Sequence, residues 1–363
     1  MLGIYIKNER INKFFMNEFL EELDYENLQK IIENDTAVGK KNNTNKVFFY
    51  SMFLCAINKY RKPLDKSVYV INGLAERKFE NRQKASPIYY ALFSTKIKEY
   101  YTKLSHVSYI KYGRRLQIFA KVLFHDCKGV PKGYIVDYLL WKEFFRLYPA
   151  IEIGGSGHYD RLTTQIALLS EMEGKHYYMK QHGLLGHAMH IPNKIPAYKV
   201  IGFDDIEIDK FRKEIICNKD CIYEKQYIST VEFVYTNFEK GHIGIIDTPI
   251  AEMNEIINQI FKMKNDIEYI VMLHPISNLS IEKLGDYSVE YTSGNKKEFN
   301  LEFIVSGPST LVYDYLKAGY KKTIIVYAPD KNSGLYDIAM QFRNVFMCDT
   351  IEKIVEKIKE MIC

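Results

Sequence analysis

Leu301-Glu-Phe-Ile-Val-Ser-Gly-Pro-Ser-Thr310-Leu-Val-Tyr-Asp-Tyr-Leu-Lys-Ala318 decides the fold. Leu301–Val305 reads as a buried strand, Ser306–Thr310 as a hydroxyl-rich turn and Leu311–Ala318 as a helix. The same grammar recurs on both sides of it. Upstream, the apolar run Gly244–Asp247 ends at Asp247-Thr-Pro249, a helix spans Ala251–Lys264, and the strand Ile267–Leu273 ends at His274-Pro275. Downstream, Thr323–Tyr327 is a strand ending at Ala328-Pro329, and Thr350–Ile362 is an amphipathic helix. Apolar strands that alternate with helices predict an α/β fold built on a parallel sheet.

The first half carries the grammar less cleanly. Val136–Leu147 reads as a helix, Ala150–Ile153 as a strand, Gly154-Gly-Ser-Gly157 as a tight turn and Asp160–Met172 as a helix. Lys175–Lys180 is a strand ending at Gln181-His182-Gly183. Asp204–Ile216 follows as a helix and Val231–Tyr235 as a strand. Ser67–Asn72 and His106–Tyr112 are β-branched and aromatic runs that predict short strands. Residues 1–60 are helix-rich, with apolar helical spacing in Phe14–Leu23 and Val47–Ile57 around the polar loop Gly39–Lys46. The expected division falls in 236–243, giving domains 1–238 and 239–363.

Bulk properties narrow the function. A chain of 363 residues suits two cores. Fifty basic against 45 acidic residues leave a net charge of +5, too mild for a nucleic-acid binder. It suits an enzyme that handles anionic substrates, and leaves room for peripheral contact with an anionic membrane surface. The six cysteines form no zinc-type spacing, so reduced thiols are expected. No stretch approaches the ~20 apolar residues of a membrane span, and Met1–Phe15 lacks a signal-peptide core. The expected location is the cytoplasm, or the inner face of a membrane.

In open α/β sheets ligands bind where the strands end. Polar residues concentrate there: Asp247 and Thr248, His274, and Ser306, Ser309 and Thr310. Pro275 stops the strand, so the His274 imidazole projects above the sheet edge, where it can donate to a phosphate. Ser309 and Thr310, at a helix start, can join backbone N–H groups in holding an anion. Local capping by Ser306 or Ser309, and a merely capping His274, are the competing readings.

These residues carry a resemblance. The second half, with His274-Pro275 and Ser309-Thr310, resembles the donor domain of bacterial sialyltransferases and polysialyltransferases of GT-B fold. That resemblance implies two Rossmann-like domains facing a cleft, and a CMP-activated nonulosonic (sialic acid-like) sugar as donor. It implies that the histidine and hydroxyls hold the CMP phosphate, with a glycan of a bacterial surface polysaccharide or lipooligosaccharide as acceptor. It also implies inverting transfer without a metal cofactor. With Gln181-His182-Gly183 added, the chain is also similar to CDP-glycerol-type teichoic acid phosphotransferases, although Gly183 is followed by Leu-Leu-Gly-His instead of that family's run. A non-catalytic glycan- or nucleotide-binding module is the third alternative.

The first domain is expected to supply the acceptor side. Glu152-Ile-Gly-Gly-Ser-Gly-His-Tyr-Asp-Arg161 gathers Glu152, His158, Asp160 and Arg161 around a glycine turn. Asp160 is the expected base for the acceptor hydroxyl, since sialyltransferases of this fold use a carboxylate from that domain. His158 and His182 compete with it, and Asp160 can also act as a helix cap. Glu152, His158 and Arg161 are expected acceptor contacts, Arg161 through an acceptor carboxylate. His182, His187 and His190 look like a metal set, but Gly183 and Gly186 break the helix that would converge them.

Overall fold

The computed structural model describes residues 23–37, 60, 68–70, 85–87, 106–124, 127–147, 152–155, 161–181, 183–186, 191–227, 229, 231–239, 241–263, 268–274, 289–292, 296–330 and 334–362. The chain forms two compact units. Met1–His182 and His190–Tyr227 make the first; Gly183–Met189 and Ile228–Cys363 make the second. Both are α/β, each on a parallel six-stranded sheet.

In the first unit, α1 (Tyr25–Ala37), β1 (Val68–Val70) and β2 (Ala85–Pro87) precede a 3₁₀ turn at His106–Tyr109. Then come α2 (Tyr112–Phe124), α3 (Lys132–Leu147), β3 (Glu152–Gly155), α4 (Arg161–Met172), β4 (His176–Lys180), β5 (Lys199–Gly202), α5 (Asp205–Lys210) and β6 (Ile222–Lys225). The strand order is β2-β1-β3-β4-β5-β6. The strand expected over His106–Tyr112 is instead that 3₁₀ turn and the start of α2. His106, Val107, Ser108 and Tyr109 are all buried, so the run presents no face to solvent. The helix expected over Asp204–Ile216 is α5 followed by a π turn at Phe211–Ile215. Asp204 caps it, accepting from Glu207 N at 3.0 Å. Phe14–Leu23 and Val47–Ile57 fall almost wholly outside the described residues.

The second unit runs β7 (Glu232–Val234), β8 (His242–Ile246), α6 (Met253–Lys262), β9 (Glu268–Met272), β10 (Val289–Thr292), β11 (Lys296–Glu298), β12 (Phe303–Ser306), α7 (Thr310–Lys317), β13 (Ile324–Tyr327), α8 (Leu335–Gln341), β14 (Val345–Cys348) and α9 (Ile351–Ile362). Its sheet order is β10-β9-β8-β12-β13-β14. Counted within this sheet, the order is 3-2-1-4-5-6, the doubly wound order of dinucleotide-binding folds. β7 pairs in parallel with β11 in a separate ribbon, and lies between the division at 227/228 and the sequence-based one at 238/239.

Every residue of β8 is buried, as a strand covered on both faces requires. On one face Ile243, Ile245, Phe303, Val305 and Ile325 meet Ile256, Ile257 and Ile260 of α6 and Ile354 and Ile358 of α9. Burying each such side chain stabilises by roughly 1.5–3 kcal/mol. The C-terminal helix therefore docks on its own sheet. The far side of β8 is crowded: a Cβ at Gly244 would meet Leu301, Met272 and Ile304. Beyond Met272, Tyr315 of α7 donates its hydroxyl to Glu298 O at 2.7 Å and packs edge-on against Phe233.

Candidate functional site

The second sheet changes winding direction between β8 and β12, which are neighbours. Ile246 stands opposite Met272 on one side and Ser306 on the other. The three chains therefore leave the sheet side by side: Asp247-Thr248 after β8, Leu273-His274 after β9, and Gly307-Pro-Ser309 after β12. A crevice at such a switch point is where open α/β sheets bind ligands.

Asp247 is 2% exposed and ties two of these chains together, its Oδ2 accepting from His274 N at 3.3 Å. Its own N–H donates to Met272 O at 3.0 Å. His274 is half-buried, with its backbone fixed and its ring beyond the strand end. Thr248 is buried against the β12 turn: a Cβ at Gly307 would overlap its hydroxyl, so only glycine lets the turn pass so close. Ser306 is fully buried and donates to Gly307 O at 2.7 Å, which makes it a turn-holding residue. Ser309 caps α7, its Oγ accepting from Leu311 N at 3.2 Å. The capping alternative thus holds for Ser309. Thr310 opens the helix, half-buried, where the helix dipole favours an anion. Pro275 lies outside the described residues.

In the first sheet the switch point falls between β1 and β3, so the chain after Gly155 leaves at its crevice. Gly154 and Gly155 are strand residues, not part of the expected turn. Gly155 has no room for a side chain, because a Cβ would stand 2.5 Å from the Tyr177 hydroxyl. Glu152 opens β3 at the amino edge and accepts from Tyr178 Oη at 2.8 Å. The strand therefore places Glu152 at the end opposite Gly155. Arg161 begins α4. His158, Asp160, His182, His187 and His190 lie outside the described residues.

Sequence reasoning gave no role of their own to Lys180, which ends β4, and Gln181, which follows it. Both are buried, and Lys180 Nζ donates to Gln226 Oε1 at 3.2 Å. The Gln181 amide accepts from Phe203 N at 2.8 Å and donates to Glu207. A buried polar pair closing an apolar strand was the available signal. Gly183 to Gly186, expected within the first domain 1–238, lie between β4 and β5 in sequence yet belong to the second unit. A Cβ on Gly183 would stand 3.7 Å from Thr310 Oγ1.

No protein-family model and no curated protein matches the chain. Among solved structures, MurG of Acinetobacter baumannii is similar over 82% of this chain and 91% of that one, at 11% identity and a TM-score of 0.48. A glycotransferase of kitacinnamycin is similar over 87% of this chain and 86% of that one, at 7% identity and a TM-score of 0.44. Likenesses of this degree assign no activity, and no helix among the described residues is long and apolar enough to cross a membrane.

Proposed function

We propose that the chain is a GT-B glycosyltransferase that binds a nucleotide-activated sugar at the carboxyl edge of its second sheet. The observation that carries this is the convergence of Asp247, Thr248, His274 and Thr310 on the switch point of a sheet in dinucleotide-binding order. Two parallel-sheet α/β units are the domain content of GT-B enzymes, and the two similar structures are titled as a MurG and a glycotransferase.

In finer detail, the donor is a CMP-activated nonulosonic acid and the acceptor a bacterial surface glycan. The Thr310 hydroxyl, at the positive end of the α7 dipole, takes the phosphate, with His274 donating from the end of β9 on the far side of β8. Asp247 holds the His274 backbone in place, and Thr248 packs against the turn at Gly307. The acceptor hydroxyl loses its proton to a first-unit base, Asp160 with His182 as rival, and attacks the anomeric carbon. The C–O bond to phosphate breaks, and CMP departs with the bonding pair. Fixed dipoles at α7 take the place of a divalent ion, so transfer proceeds in EDTA.

Calorimetric titration with CMP, CDP, UDP and GDP in EDTA tests this. CMP should bind, and Thr310→Ala or His274→Ala should weaken it by about tenfold or more, the effect of a lost charge-assisted hydrogen bond. Preference for CDP would transfer the site to the polyol-phosphate reaction, UDP alone would remove the cytidine donor, and binding of none would sink the proposal.

A further inference from the structure

The loop between β4 and β5 does not stay with the strands that bracket it. Gln181 is pinned in the first unit by its amide bonds to Phe203 and Glu207. Two residues later the chain belongs to the second unit. Leu185, 1% exposed, is the seat. A Cβ on Gly334 would overlap the Leu185 carbonyl and stand 3.2 Å from Leu184 Cβ, so the glycine that caps α8 leaves the space this segment fills. From that seat the segment runs back to Gly183, beside the Thr310 hydroxyl.

We infer that Gly183–Gly186 is a strap forming a further wall of the phosphate site, and that Gly183 and Gly334 are specificity-determining positions for the phosphoryl group. The inference rests on the proposed nucleotide site. A phosphate oxygen accepting from Thr310 stands ~2.7 Å from Oγ1. A side chain on residue 183 projects into the same neighbourhood, and glycine keeps it open. Gly334 acts at a distance: any side chain there lifts Leu185 and shifts the strap. Its φ of −57° is one alanine adopts freely, so Gly334→Ala acts through the contact and not through backbone strain. The Cβ of Gly183→Ala makes only an ordinary contact with Thr310, so that variant keeps its fold.

The test titrates wild type, Gly183→Ala and Gly334→Ala with CMP and with cytidine, and with UMP and uridine in parallel. The expected result is a nucleotide affinity about tenfold lower in both variants, with nucleoside affinity unchanged in both and the thermal midpoint unchanged in Gly183→Ala. Unchanged nucleotide affinity, or equal losses for nucleotide and nucleoside, overturns the strap's role while wild-type binding stands. A wild type that binds neither nucleotide fails the site itself, and the strap's role with it.

Discussion

In the second unit, α6 and α9 set isoleucines against Ile243, Ile245, Val305 and Ile325, and the contact is hydrocarbon throughout. In the first, α3 is buried at 12 of its positions and carries Asp137 and Trp141 into the interior. The His106 ring stacks on Trp141 at 3.8 Å and 11°. Neither ring nitrogen of His106 has a hydrogen-bond partner among the described residues. The isoleucine contacts of the second core carry no titratable group. The first core encloses titratable groups, so its stability follows the protons that those groups release or refuse.

The largest expected effect lies in the hydrocarbon core. Ile257→Ala removes methyl groups from the α6–α9 contact and should cost about 2–5 kcal/mol, with the same loss at pH 5 and pH 8. Calorimetry at both pH values checks it, and a loss that changes with pH would break the contrast.

The next concerns His106. Burial, aided by nearby Arg115, lowers its pKa from 6.5 to about 3. Below pH 6.5 the unfolded chain takes up a proton that the folded chain refuses, so stability falls as pH drops from 6.5 toward 3. The slope approaches ~1.4 kcal/mol per pH unit. His106→Phe keeps a ring on Trp141 and should remove this acid-side loss. Trp141 is the sole tryptophan, so its emission follows the unfolding of this core.

Asp137 works in the opposite sense. Burial raises its pKa well above 3.8, against a smaller lowering by the Gln165 amide. The unfolded chain releases this proton above pH 3.8 and folding must take it back, so stability falls as pH rises past that value. Between 3.8 and 6.5 the two slopes oppose and partly cancel in the wild type. Asp137→Asn should raise the melting temperature more at pH 7 than at pH 4, and should leave the His106 slope uncovered. A larger gain at pH 4 would contradict that sign.

The same contrast explains what the sequence disclosed. Strands buried on both faces read as apolar runs, so β8, β9, β12 and β13 and the residues that end them could be found directly. β10, with Glu290 in its middle, and β14, where Phe346 is exposed, lack that signature, and neither was anticipated. His106–Tyr109 misled because a fully buried turn mimics a short strand. Asp247, His274 and Thr310 were legible because a polar residue just after an apolar strand has one edge to occupy. The division of labour between Ser309 and Thr310 was not, since both fit a helix start and only geometry shows which hydroxyl the cap uses. The strap was illegible for another reason: nothing local links Gly183 to Thr310 or Leu185 to Gly334, which meet only through tertiary structure.

Amide hydrogen exchange with and without saturating CMP tests the central claim most directly. The prediction is slowed exchange in peptides covering 246–249, 272–275 and 306–312, together with 183–186, while α6 and α9 are unaffected. Protection confined to the first unit, with the ends of β8, β9 and β12 unchanged, would contradict it.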